Sequence, residues 1–323
     1  MPVLVCPDAL ALAYRRCGNS GLRLPALSLA LGHDLLSKQP LSQQYLVDRA
    51  LDYGFLHFDL ALPGQSFLPR TTPPYMRALH DQREALILST RIGLGSGPFT
   101  PAGFGSRKHL VSGVDRVLQQ TGLDYLDILF AHRHDPDTPL EETMHALAGI
   151  VRQGKALYIG LSGYSPAILT QAISILASLH TPLVACQTSF SLLDRWAQDG
   201  LLGILKQHDI GFIACAPLAH GALSFPAPAA WPLSAPADLD PTDTLNAVTT
   251  LAQARGQTTA QLAISWLLNN QSVASALLTT TDPEHLRDAR DAAAQATFTP
   301  DELRTLDTYC PPPPTAEARC IRY

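Results

Sequence analysis

Short apolar runs alternate along this chain with stretches of helical periodicity. The runs are Leu27–Leu31, Leu56–Ala61, Leu86–Ile92, Tyr125–His132, Leu157–Ser162, Leu183–Ser189, Gly211–Pro217 and Val273–Thr279. They are near-continuously apolar rather than alternating apolar and polar, which is the signature of strands buried on both faces. Each is followed by a segment long enough for a helix, so parallel strands with crossover helices are expected. Eight such units in a chain of 323 residues favour closure into a (β/α)8 TIM barrel over an open doubly wound sheet.

Punctuation residues support the helices. Ser165 precedes Pro166, an N-cap followed by proline at the first helical position. Thr258 with Gln261 and Thr299 with Glu302 have capping-box spacing. Asp282-Pro283-Glu284 opens another helix, and Gly122 and Gly154 stand where helices should stop. The one shift in composition, Phe225–Pro241, is rich in Pro and Ala and reads as a loop after the seventh strand. Pro311–Pro314 begins an extended tail over 311–323. The expectation is one domain spanning 1–323.

Composition narrows this picture without changing it. Apolar residues make up 46% and charged residues 16% of the chain, which suits a large core and excludes wholesale disorder. A net charge of -5 gives no reason to expect nucleic acid or an anionic membrane as partner. The six cysteines include no C-x-x-C pair, and no histidines stand near them at ligand spacing, so neither a metal site nor a disulfide framework is expected. Cys186 and Cys215 lie in apolar runs and read as buried small hydrophobes. Met1–Leu12 lacks the charged and apolar regions of a secretion signal, and no apolar stretch is long enough to span a bilayer. The expected setting is cytoplasmic, with a small-molecule substrate; a homo-oligomer stays open.

Several segments then recur in the order of one known family. Tyr14-Arg15-Arg16-Cys17-Gly18-Asn19-Ser20-Gly21-Leu22 looks like an opening hairpin. Ala50-Leu51-Asp52-Tyr53-Gly54 followed by His57-Phe58-Asp59 looks like a first helix and second strand. Gly105-Ser106-Arg107-Lys108, Gly122-Leu123-Asp124-Tyr125-Leu126-Asp127-Ile128, Gly154-Lys155-Ala156-Leu157-Tyr158-Ile159-Gly160-Leu161-Ser162 and Ala216-Pro217-Leu218-Ala219-His220-Gly221 continue the series. Over roughly residues 12–310 the chain resembles the aldo-keto reductases, in the branch that holds bacterial glyceraldehyde 3-phosphate reductases and potassium-channel β subunits.

That resemblance implies hydride transfer from NADP(H) to a carbonyl carbon. A tyrosine gives the proton, a lysine held by an aspartate lowers the tyrosine's pKa, and a histidine fixes the substrate oxygen. The aspartate maps to Asp59 and the histidine to His132. The tyrosine's place holds Gly64 and the lysine's holds Arg91. Glycine has no side chain to donate, and arginine stays charged and cannot pass a proton at neutral pH. Tyr75 is the nearest other phenol, but it aligns with a core aromatic. The resemblance further assigns Ser162 and Gln187 to the nicotinamide carboxamide and Phe190 to the neighbourhood of the stacking aromatic. It puts Leu218, His220 and Gly221 near the pyrophosphate, with His220 at a helix start. Asp282 stands where relatives carry an arginine for the 2′-phosphate, so NADP(H) binding is expected to be weakened or lost; a plain reading of Asp282 is the cap of the helix begun by Pro283.

These residues leave three functions open. The first is acid–base chemistry on a small anionic molecule (elimination, isomerisation or cyclisation) by Asp59, Arg91 and His132, with His132 titrating near neutrality. The second is a nicotinamide-dependent reductase of a carbonyl or imine with a substitute proton donor. The third is a non-catalytic binding or regulatory barrel. The bland alternatives are a structural Asp59–Arg91 ion pair and a core histidine at 132.

Overall fold

A computed structural model describes residues 12–32, 38–60, 72–93, 103–224 and 240–312. The described residues open with a hairpin of β1 (Tyr14–Arg16) and β2 (Arg23–Pro25), paired antiparallel. Eight strands follow: β3 (Leu27–Ala30), β4 (His57–Asp59), β5 (Ile87–Ile92), β6 (Leu126–His132), β7 (Ala156–Ser162), β8 (Leu183–Ser189), β9 (Gly211–Cys215) and β10 (Val273–Leu278). They close into a barrel in sequence order, each parallel to its neighbours, and β10 pairs with β3 to complete the ring. This is the expected (β/α)8 architecture; seven predicted runs contain their strands, and β7 begins one residue before its run, at Ala156.

Between the strands lie α1 (Pro40–Asp52), α2 (Met76–Asp81), α3 (Arg107–Thr121), α4 (Leu140–Arg152), α5 (Pro166–Ser178) and α6 (Leu201–Gln207). After β9 come α7 (Pro241–Ala254) and α8 (Thr259–Asn269), and after β10 come α9 (Pro283–Ala293) and α10 (Pro300–Tyr309). The caps are the ones the sequence signals. Ser165 accepts from the Ile168 amide, and both capping boxes, Thr258 with Gln261 and Thr299 with Glu302, are formed. Gly122 ends α3 in the left-handed region at φ 71°, a conformation that glycine adopts without steric penalty. Of the expected loop 225–241, residues 225–239 lie outside the described residues, whereas Pro241 is the first residue of α7, with Asp240 as its cap. Of the tail, residues 313–323 likewise lie outside them.

Two apolar layers hold the barrel. One fills the space between strands and helices and contains Phe58, Tyr75, Leu129, Phe190, Phe212 and Trp266. The other fills the barrel itself and contains Leu24, Cys17, Ile128, Phe130, Ala185 and Ile213. The hairpin contributes Cys17 and Leu24 to the inner layer, both wholly buried. Gly160 leaves room for the Phe130 ring: a Cβ at that position would collide with the ring edge. Parallel strands bring all their C-terminal ends to one mouth, which is where barrels of this kind place their chemistry.

Candidate active site

Side chains two apart on a strand share a face, so His57 and Asp59 on β4 point the same way, as do Ser89 and Arg91 on β5. Asp59 and His132 are the last residues of β4 and β6, and Ser162 is the last of β7. Asp59 is wholly buried. Its Oδ1 accepts a hydrogen bond from Ser89 Oγ at 2.8 Å. Its Oδ2 lies 3.1 Å from Arg91 Nε, an ionic contact rather than a well-aimed hydrogen bond. The structure thus joins Asp59 and Arg91 as the sequence reading expected. Asp59 strengthens the guanidinium's hold on its proton, against the opposing effect of burial. The fork of Arg91 makes no hydrogen bond or ion pair through Nη1 or Nη2 among the described residues, and the side chain is 28% exposed.

His132 Nδ1 lies 2.9 Å from Ser162 Oγ. Burial first, then the positive charges of Arg91 and Arg133, lower its pKa to about 4. This corrects the expectation of a histidine titrating near neutrality. The ring is neutral at physiological pH, because a second cation beside Arg91 in a desolvated mouth is unfavourable.

Gln187 on β8 pairs in register with Ser162 on β7. Its side chain is wholly buried, and neither Oε1 nor Nε2 has a hydrogen-bond partner. A buried amide with both ends unpaired costs about 1–3 kcal/mol relative to a satisfied one. It is a fitting receptor for another carboxamide, which offers one acceptor and two donors. The residues present therefore fit a nicotinamide ring at this point.

The other predicted cofactor residues are placed less uniformly. Phe190 is buried in the helix-facing layer, its ring 5.7 Å from that of Phe212 and 5.6 Å from that of Trp266. Its face is spent on the core rather than on the mouth. Leu218 leads into a single 3₁₀ turn, Ala219–Gly221. His220 stands inside this turn with φ 55°, not at a helix start. Ala216 and Ala219 are also left-handed, at φ 49° and 51°. Non-glycine residues held there cost roughly 1–3 kcal/mol each and persist where the surroundings demand them, often at ligand sites. Asp282 caps α9, accepting from the Glu284 amide at 3.0 Å, which bears out the plain reading of that residue. Gly64 lies outside the described residues. Tyr75 is wholly buried at the start of α2 and belongs to the helix-facing layer, with its hydroxyl unpartnered, so it is a core residue and not a phenol at the mouth.

The sequence reading missed three features. Cys215, expected in the core, ends β9 partly exposed and within electrostatic reach of both Arg91 and Asp59. Burial pushes its thiol up to about 12, so it is uncharged. His57 and Ser89 were also passed over, although their two-residue spacing from Asp59 and Arg91 carried the signal. Among the described residues no group of three or more His, Cys, Asp or Glu could hold a metal ion, and no helix is long and apolar enough to cross a membrane.

Comparison with known proteins adds the following. The sequence profile of the aldo/keto reductase family matches residues 29–309. L-glyceraldehyde 3-phosphate reductase of Escherichia coli K12 is 37% identical over 327 residues, covering 92% of each chain. A putative voltage-gated potassium channel subunit beta of Schizosaccharomyces pombe is 28% identical over 323 residues, covering 91% of this chain and 92% of its own.

Proposed function

The chain belongs to the aldo/keto reductase family, and we propose that within it this protein is a nicotinamide-dependent reductase of a small carbonyl compound bearing an acidic group. The observation that carries the reading is Gln187: a wholly buried amide with both polar ends unpaired, beside Ser162 and His132 at the barrel mouth. The family generally uses NADP(H), which when bound supplies a hydride for a carbonyl carbon.

The chain's own residues have distinct tasks in this reading. Gln187 binds the carboxamide and so fixes which face of the ring meets the substrate. His132, paired through Nδ1 with Ser162 Oγ, binds the carbonyl oxygen through Nε2 when the neutral ring carries its proton there. Arg91, anchored to Asp59 through Nε, offers Nη1 and Nη2 to a carboxylate or phosphate on the same substrate. Neither Arg91 nor neutral His132 gives up a proton readily near pH 7, so the oxygen takes its proton from water. The relative named for L-glyceraldehyde 3-phosphate, an aldehyde with an acidic group, supports this substrate class. Elimination, isomerisation or cyclisation by acid–base catalysis finds no support: such chemistry needs a group that titrates near the working pH, and His132 does not.

The test is a binding titration with NADPH, NADH and NADP⁺, followed by NADPH oxidation with acidic aldehydes and 2-oxo acids against neutral aldehydes of equal size. Binding with turnover of the acidic set is expected. Absence of dinucleotide binding overturns the reading, and equal turnover of both sets removes the acidic-group assignment.

A further inference from the structure

A chain of four hydrogen bonds crosses the barrel interior and ends on Asp59. Ser275 Oγ on β10 lies 2.5 Å from Ser28 Oγ on β3, and Ser28 Oγ lies 2.8 Å from His57 Nδ1 on β4. His57 Nε2 lies 3.0 Å from Ser89 Oγ on β5, and Ser89 Oγ lies 2.8 Å from Asp59 Oδ1. All five side chains are wholly buried. Buried polar groups in an apolar barrel are costly unless each is satisfied, so this line of side chains calls for a reason.

Elementary bonding rules fix every proton in it. A carboxylate can only accept, so the Ser89 hydroxyl proton goes to Asp59. Ser89 therefore accepts from His57, which puts a proton on Nε2. Burial lowers the pKa of His57 to about 4, against the raising influence of Asp59, so the ring is neutral and Nδ1 carries a lone pair. Ser28 must donate to that lone pair and so must accept from Ser275. All four bonds point one way, and bonds aligned in series polarise one another.

We propose that His57 is a positioning residue: the one-way chain from Ser275 through Ser28, His57 and Ser89 locks the rotation of the Asp59 carboxylate and thereby aims the Arg91 fork. With Oδ1 held by Ser89, Oδ2 is the oxygen left for Arg91 Nε. A guanidinium tethered by Nε presents its two amino groups outward, whereas one tethered by its fork does not. The inference rests on the reading of Asp59 and Arg91 as the charged pair of the site, but its test uses no turnover and no dinucleotide.

The test is ¹H–¹⁵N magnetic resonance on the full chain. Between pH 6 and 8, long-range ring spectra should show His57, assigned by its loss in His57→Leu, as the neutral form protonated on Nε2. A His57 protonated on Nδ1, or on both nitrogens, overturns the proposal. The Arg91 Nε–H signal should exchange slowly with solvent in the native chain. Ser89→Ala, which removes the hydrogen bond to Asp59 Oδ1, and His57→Leu, which removes the bond behind it, should speed that exchange by about tenfold. His109→Leu, a buried histidine off the chain whose Nε2 has no partner, should leave it unchanged. Unchanged exchange in folded Ser89→Ala overturns the proposal. Should the inner variants fail to fold, Ser275→Ala at the far end removes one hydroxyl and decides alone: faster Arg91 exchange supports the chain, unchanged exchange refutes it. A protein that binds no dinucleotide yet shows these signals separates failure of the proposed function from failure of this inference.

Discussion

Replacing Gln187 by methionine should stabilise the protein without cofactor and shrink the stabilisation that NADPH brings, a pair of opposite effects that packing alone does not give. Methionine is unbranched, close in length and adaptable, so it fills the same space with little strain. It has no amide to desolvate. The glutamine is wholly buried with Oε1 and Nε2 both unpaired, so its removal should return about 1–3 kcal/mol. For a chain of this size each kcal/mol moves the melting temperature by roughly 2 °C. Gln187→Met should therefore melt about 2–6 °C higher when free of dinucleotide. With NADPH at 100 times its Kd the native protein gains about 2.7 kcal/mol. The variant lacks two hydrogen bonds to the carboxamide, together about 1–3 kcal/mol, so its Kd should rise roughly 5–150-fold and the gain at the same NADPH concentration should fall to about 0.3–1.8 kcal/mol. The assay is thermal unfolding of both proteins over an NADPH series, checked by urea midpoints. If Gln187→Met melts lower without NADPH, the amide is not strained by its burial. If NADPH stabilises both proteins equally, Gln187 does not touch the nicotinamide.

Four shorter predictions follow from other parts of the structure. Arg91→Lys should keep a charge near Asp59 but lose the fork, raising the KM for acidic carbonyl substrates by about 10–150-fold, the worth of one charge-assisted hydrogen bond; a change in melting temperature without a change in KM would show the arginine to be a plug. His57 and His132 both have pKa values lowered to about 4, so the unfolded chain takes up protons first as pH falls. Stability should be full above about pH 6.5 and decline towards pH 4, by on the order of 3 kcal/mol for buried His57 and less for partly exposed His132; urea midpoints at pH 7 and pH 5 that coincide would refute this. Gly160→Ala places a methyl into the Phe130 ring and should cost about 1–3 kcal/mol or more, with partial rescue by Phe130→Leu, read by urea unfolding. Asp282→Asn keeps an N-cap of equal quality and removes a charge; NADPH should bind about threefold tighter for roughly 0.7 kcal/mol of relieved repulsion, with NADH unchanged, as measured by calorimetry.

The fold was legible because its signals are local and repeated. A strand buried on both faces must be apolar over several residues, and the chain does this eight times with crossover lengths between. Caps were equally plain, since Ser165, Thr258, Thr299 and Asp282 act within three residues of themselves. What misled was context beyond one strand. Cys215 sits in an apolar run, yet it is the last residue of β9, where the barrel opens. Phe190 follows β8 at a place near the mouth in sequence, but the turn after that strand swings its ring onto Phe212 and Trp266. The resemblance puts His220 at a helix start, yet a run of left-handed residues makes a single turn there.

The chemistry of the mouth was harder to read, and for a different reason. Asp59, Arg91 and His132 were legible as residue types at strand ends, and the structure brings Asp59 and Arg91 into contact. Their protonation was not legible, because it depends on neighbours from other strands. Burial lowers the pKa of His132 on β6, and the charge of Arg91 on β5 lowers it further. The orientation of the Asp59 carboxylate is tied to Ser89 on β5 and through it to His57, Ser28 and Ser275. A sequence shows serine and histidine on four strands as isolated polar residues in apolar runs, each of which reads alone as a defect. Closing the barrel turns those separate defects into one satisfied line, and the direction of that line follows from the one member that can only accept. An aspartate at a strand end with a histidine two residues before it is therefore a pattern to test for a buried partner on the next strand, here Ser89, before either residue is assigned a proton.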